Sequence, residues 1–108
     1  MKIDVSSARQ LACAPGDVAA FVIDPRNDAR WLEGVVSSRA DADPLAVGTH
    51  VHRELRAKGH TMPMTFEVTR ADPATGVAMR SLGDDDVLFD TAIEGLDDGT
   101  ALVRLTVS

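Results

Sequence analysis

Arg53 is the residue whose setting says most about chemistry. It lies in the run Val51-His52-Arg53-Glu54-Leu55, and strand alternation puts it on the same side as Val51 and Leu55. An unpaired charge among apolar side chains is expensive. A guanidinium so placed has two readings. It anchors the carboxylate, phosphate or enolate of an otherwise apolar ligand. Or it snorkels to water at a sheet margin, or pairs with a carboxylate such as Glu33. The other chemically able residues form weaker sets. His50 and His52 share the charged face of the same strand, and His60 stands beside a turn. No cysteine or carboxylate cluster completes a ligand set around them, so no metal site is expected. Asp84-Asp85-Asp86 reads as a solvated turn without the oxygen-ligand spacing of a calcium loop.

Nucleophilic catalysis finds no support. There is no Gly-x-Ser-x-Gly elbow, and no serine shares the apolar face with a histidine. No glycine loop of the phosphate- or dinucleotide-binding kind is present. The chain has no tyrosine, which removes one usual acid or base. No catalytic constellation and no cofactor are therefore expected. Cys13 alone cannot form an internal disulfide and reads as a small buried apolar residue.

These residues need a scaffold, and 108 residues suit one domain, 1–108. The stretch Ala14 to Gly34 is the one convincing helical segment. Pro15 suits a first helical position, and Asp17 opposes the helix dipole favourably. Val18, Phe21 and Val22 follow at helical spacing, which predicts one buried face. Asp24-Pro25 ends that helix, because the residue before proline is pushed out of helical conformation. Asp24 can then cap a second short helix starting at Pro25, with Trp31 and Leu32 at its apolar end and Gly34 as its stop.

The rest reads as strands: residues 2 to 12, with Ile3 and Val5 alternating, then Val35 to Ala42, Thr49 to Arg56, His60 to Arg70, Val77 to Leu82, Val87 to Glu94, and Thr100 to Val107. Pairing Ala57 with His60 across Lys58-Gly59 sets Arg53 opposite Met64 and Val51 opposite Phe66. Arg70 opposite Val77 sets Val68 against Met79 and Phe66 against Ser81. Phe89 then faces Met79, with Ile93 opposite Ala101, Thr91 opposite Val103 and Phe89 opposite Leu105. One face becomes mostly apolar. The other carries Glu67 between His50 and Arg80, and Asp90 opposite Arg104. The expected fold is α+β: a curved seven-stranded antiparallel sheet with two short helices after strand one.

The ordered set of Ala14-Pro15, Asp24-Pro25, Trp31, Gly48 before strand three and Gly99-Thr100 before the last strand resembles the helix-grip superfamily. That group includes START lipid-transfer domains, birch-allergen-type plant proteins and polyketide cyclases/dehydrases. The resemblance implies a hydrophobic ligand cavity between sheet and helices. Its family members continue with a long helix after the last strand, whereas this sequence stops at Ser108 on that strand. Without that cover, a large apolar face favours association. A two-fold homodimer is one expectation, and a truncation the other.

The residues expected to line a cavity are Arg53, Met62, Met64, Phe66 and Met79, with Ser81, Phe89 and Thr91 beside them and Trp31 at the mouth. The partner expected is a small hydrophobic ligand, lipid or polyketide-like. The formal charge of −6 speaks against nucleic acid. No apolar run is long enough to span a membrane, Met1-Lys2-Ile3-Asp4-Val5 lacks the apolar stretch of a signal peptide, and a cytoplasmic location is expected. Three functions remain open: a binding or transport module, a cyclase/dehydrase-type enzyme with Arg53 steadying an enolate, and a dimeric interaction protein whose pocket is filled by its own side chains. A buried carboxylate or histidine facing Arg53 favours the enzyme, and a co-purified lipid or aromatic ligand favours the binder.

Overall fold

The computed structural model describes residues 5–32, 34–83 and 86–108. The readings placed on Ile3, Glu33, Asp84 and Asp85 lie outside the described residues. Seven strands form one antiparallel sheet: β1 (Val5–Leu11), β2 (Val35–Ala40), β3 (His50–Ala57), β4 (His60–Asp72), β5 (Gly76–Ser81), β6 (Leu88–Gly95) and β7 (Ala101–Val107). Their order is β1-β7-β6-β5-β4-β3-β2. The last five strands meander, β2 flanks β3, and β1 returns to pair with β7 at the far edge.

Between β1 and β2 the chain forms α1 (Pro15–Ile23), a 3₁₀ turn (Pro25–Asn27) and α2 (Asp28–Trp31). Pro15 opens α1 and Asp17 sits in its first turn. The Asp24 carboxylate accepts the Arg26 backbone N–H at 3.0 Å, capping the turn as the sequence predicts. Gly34 takes a φ of 88°, a conformation open to glycine, where the helical segment stops. The buried face of α1 is Val18, Ala19 and Val22. Phe21 is not part of it, contrary to the spacing argument: it is 39% exposed, turned off the face that Ala19 fills. Cys13 is also exposed rather than buried, in the link ahead of α1.

Two apolar clusters make the core. Val18, Ala19 and Val22 of α1 pack on Ile93, Ala101 and Val103 of β6 and β7. Val51, Phe66, Val68, Val77 and Met79 form the second, across β3 to β5. Ile23, at the end of α1, packs against both. Fully burying one such aliphatic side chain contributes about 1.5–3 kcal/mol.

The pairing of β3 with β4 is as expected, with Arg53 opposite Met64 and Val51 opposite Phe66. So are Phe66 opposite Ser81, Val68 opposite Met79, and Met79 opposite Phe89. Two registers differ. A bulge between Val68 and Arg70 sets Arg70 opposite Ala78, not Val77, and lengthens β4 to Asp72. An extra residue in one strand exchanges its faces beyond the bulge. Arg70 therefore joins the outer face, where its Nη2 meets Asp90 Oδ1 at 2.8 Å, while Ala71 packs against the second cluster. Between β6 and β7 the register is shifted by two: Ile93 faces Val103, Thr91 faces Leu105 and Phe89 faces Val107. A shift of two keeps every side chain on its face. It does move Arg104 opposite Ala92, so Asp90 pairs with Arg70 and not with Arg104. His50 and Glu67 are cross-strand partners, 3.8 Å apart.

Candidate functional site

A half-open cleft of about 870 Å³ lies between the helices and the β1–β7–β6 side of the sheet. The volume falls in the range of small-molecule pockets, roughly 300–1,000 Å³. Its floor is Val103, Leu105 and Val107 of β7 together with Phe89 of β6. Phe21 and Val22 of α1, and Trp31 and Leu32 at the end of α2, form the opposite wall. The sheet edge supplies Ser7, Arg9 and Leu11. These three alternate along β1 opposite Leu105, Val103 and Ala101, so all three share the inner face. Arg30 of α2 completes the lining.

Arg53 lies elsewhere on the inner face and is held by a buried carboxylate. Its Nε and Nη2 donate to Asp28 Oδ2 at 3.1 and 2.9 Å. The Ser38 hydroxyl donates to the same oxygen at 2.8 Å. Both side chains of the ion pair are 4% exposed. The guanidinium carbon also sits 4.9 Å from the Phe89 ring centre and 5.4 Å from that of Phe66. Those two rings meet edge-to-face at 5.3 Å. Contact with aromatic faces stabilises a desolvated guanidinium further. Arg53 Nη1 and Trp31 Nε1 are buried without a hydrogen-bond acceptor among the described residues. Burial pushes the Asp28 carboxyl above its ordinary value, while the Arg53 charge and the hydrogen bonds from Ser38 and Arg53 pull it back.

Of the side chains expected to surround a ligand, Trp31 and Phe89 line the cleft. Phe66 and Met79 are sealed in the second core cluster, and Met64 packs against it. Met62 is 39% exposed near the β3–β4 turn. The Ser81 hydroxyl accepts the Val87 N–H at 2.7 Å, and Thr91 is buried. Sequence reasoning missed Asp28, Arg9 and Arg30. Asp28 was legible as a carboxylate in the first turn of the second helix. Arg9 was legible from the parity of Ile3 and Val5, which continues through Ser7, Arg9 and Leu11.

Among the described residues, no group of three or more histidine, cysteine or acidic side chains is gathered as a metal site. No helix in the described residues is long and apolar enough to cross a membrane.

The family model for polyketide cyclase/dehydrase and lipid transport proteins matches residues 2–108. No curated protein matches the chain by sequence. Solved structures with the same fold include a Deinococcus radiodurans protein, 14% identical, with a TM-score of 0.81 over 98% of this chain and 82% of that one. A Streptomyces aromatase/cyclase is 17% identical, with a TM-score of 0.79 over 97% of this chain and 66% of its own. A major latex-like protein of Panax ginseng is 11% identical, with a TM-score of 0.73 over 97% of this chain and 76% of its own.

Proposed function

The chain belongs to the polyketide cyclase/dehydrase and lipid transport family, and from that premise we propose that it binds a small hydrophobic ligand in the cleft beneath α1 and α2. One observation carries the proposal: a cavity of about 870 Å³ with apolar side chains on both its floor and its helical wall. Apolar pockets with a few placed polar groups are the usual form of small-molecule sites. Trp31 and Phe89 supply flat apolar surface to an occupant. The test is native mass spectrometry of the gently purified protein, followed by extraction. A stoichiometric lipid or aromatic species supports binding. A chain that carries none, and takes up no apolar fluorescent probe, refutes it.

A second reading is an enzyme of the cyclase/dehydrase kind, favoured by the buried Asp28 carboxylate that faces Arg53. A raised carboxyl beside a guanidinium is a familiar pairing for acid–base work. Against it, Asp28 Oδ2 already accepts three hydrogen bonds, and neither Asp28 nor Arg53 lines the cleft. Turnover of a poly-β-keto substrate that is lost in Asp28→Asn, with folding retained, separates the two. A two-fold homodimer covering exposed apolar surface, such as Phe21, is part of the same proposal. Light scattering coupled to size-exclusion chromatography tests it, and a monomer at high concentration refutes it.

A further inference from the structure

The cleft concentrates positive charge in an acidic protein. The chain carries a formal charge of −6, yet among the described residues the ionisable side chains lining the cleft are Arg9 and Arg30, and no described carboxylate shares that lining. They come from opposite walls, Arg9 from the inner face of edge strand β1 and Arg30 from α2. Both are exposed. Neither makes an ion pair among the described residues, as Arg26, Arg39, Arg53 and Arg70 do; Arg56, Arg80 and Arg104 are unpaired there too, but they do not line the cleft. The contrast with Arg53 is informative. Arg53 is an inner-face cation neutralised within the fold by Asp28. Arg9 is an inner-face cation without an ion-pair partner among the described residues. An exposed guanidinium presents a planar donor fork suited to carboxylates.

We infer that the cleft takes an amphipathic anion, an elongated apolar body ending in one carboxylate, with the body on Leu105, Phe89 and Trp31 and the carboxylate between Arg9 and Arg30. This rests on the reading of the cleft as a ligand site and goes one step further, to the charge and shape of the ligand. Complementary charge at the rim sets orientation and selects among apolar candidates. The overall negative charge of the protein repels anions, so the preference is local in origin.

The test uses the full chain with cis-parinaric acid, a fluorescent fatty acid, and its uncharged methyl ester. At low salt the acid should bind at least about threefold more tightly than the ester, as two exposed ion pairs allow, and the margin should shrink as salt is added. The double substitution Arg9→Gln and Arg30→Gln should bring the acid down to the affinity of the ester and leave the ester unchanged. The ester thereby also reports that the variant cleft is intact. Equal binding of acid and ester by the unsubstituted protein overturns this inference while the cleft reading stands. An acid preference that survives the double substitution overturns it too, since the anchor then lies elsewhere. Failure of both probes to bind removes the cleft reading and this inference together.

Discussion

Asp28 and Arg53, 25 residues apart in the chain, meet through two hydrogen bonds to a single carboxylate oxygen. The contact ties α2 to β3 on the inner face of the sheet, and Ser38 of β2 joins it as a third donor at 2.8 Å. Two strands, β2 and β3, thus converge on Asp28 Oδ2 of α2. The pair also explains how a guanidinium tolerates a position between Val51 and Leu55 without reaching water.

Breaking such a pair should cost more than it is worth as a pair, because the partner left behind is a buried charge. Arg53→Met and Asp28→Leu should each lower stability by about 3–5 kcal/mol. The double variant Arg53→Met with Asp28→Leu should recover most of that loss, apolar replacement of a buried ion pair being often neutral. Chemical denaturation of the four proteins measures the coupling. Additive losses in the double variant would show that the two side chains act independently.

Much of this arrangement is legible in the residue pattern. Alternation across β3 to β6 places Val51, Phe66, Val68 and Met79 inside, because a buried face fixes register tightly. The bulge after Val68 is not legible, since Thr69 carries no glycine or proline signal to mark it. The β6–β7 shift comes from where the turn begins: Gly95 pairs with Ala101, and the Leu96 N–H donates to the Thr100 carbonyl within the loop. A two-residue slip leaves the face pattern unchanged, so hydrophobic patterning is blind to it. Where a cleft lies along the inner face is not legible either, because alternation says which face is apolar but not which part of it the helices cover. Here α1 packs chiefly on β6 and β7, and the open volume falls beside them.

Trp31 is the single tryptophan of a chain without tyrosine, and it lines the cleft. An apolar ligand seated there should displace water from the indole and move its emission to shorter wavelength. Titration with an apolar, non-fluorescent ligand should show a saturable blue shift. Trp31→Phe should lose the signal. Binding seen by mass spectrometry with unchanged emission would seat the ligand away from the cleft.

Two glycines should respond oppositely to alanine. Gly76 has a φ of 140°, and a Cβ there would collide with the Thr91 carbonyl oxygen and stand 3.0 Å from Ala92 Cα. That clash is with backbone of the neighbouring strand, so it cannot be relieved by a rotamer change. Gly76→Ala should cost at least about 2 kcal/mol or prevent folding. Gly16 lies in the first turn of α1, and a methyl group added there would meet nothing within 4 Å. Gly16→Ala should stabilise by about 0.4–1 kcal/mol, through the unfolded chain. Thermal melts of both variants decide it, and a neutral Gly76→Ala would contradict the close approach of β5 to β6.

Acid should separate the buried carboxyl from the surface ones. The Asp98 carboxyl is held below its ordinary value of 3.8, first by the Thr100 hydroxyl and then by the Thr100 backbone N–H. A depressed folded value means that its contribution is present above 3.8 and lost as pH falls through the lower one. The melting-temperature gap between the wild type and Asp98→Asn should therefore persist down to about pH 4 and close only below it. Asp28 has the opposite sign. Burial raises its carboxyl above 3.8, so its contribution is fullest below 3.8 and is lost as pH rises through the raised value. Removing Arg53 takes away the charge that opposes this rise and leaves the desolvation in place. In Arg53→Met the carboxyl should climb further, and the variant should regain stability on acidification while still above pH 3.8. Melting temperatures of the wild type, Asp98→Asn and Arg53→Met from neutral pH downward should thus show two gaps closing in different windows. An Arg53→Met gap that stays constant down to about pH 4 would mean that Asp28 without its partner is solvated rather than buried.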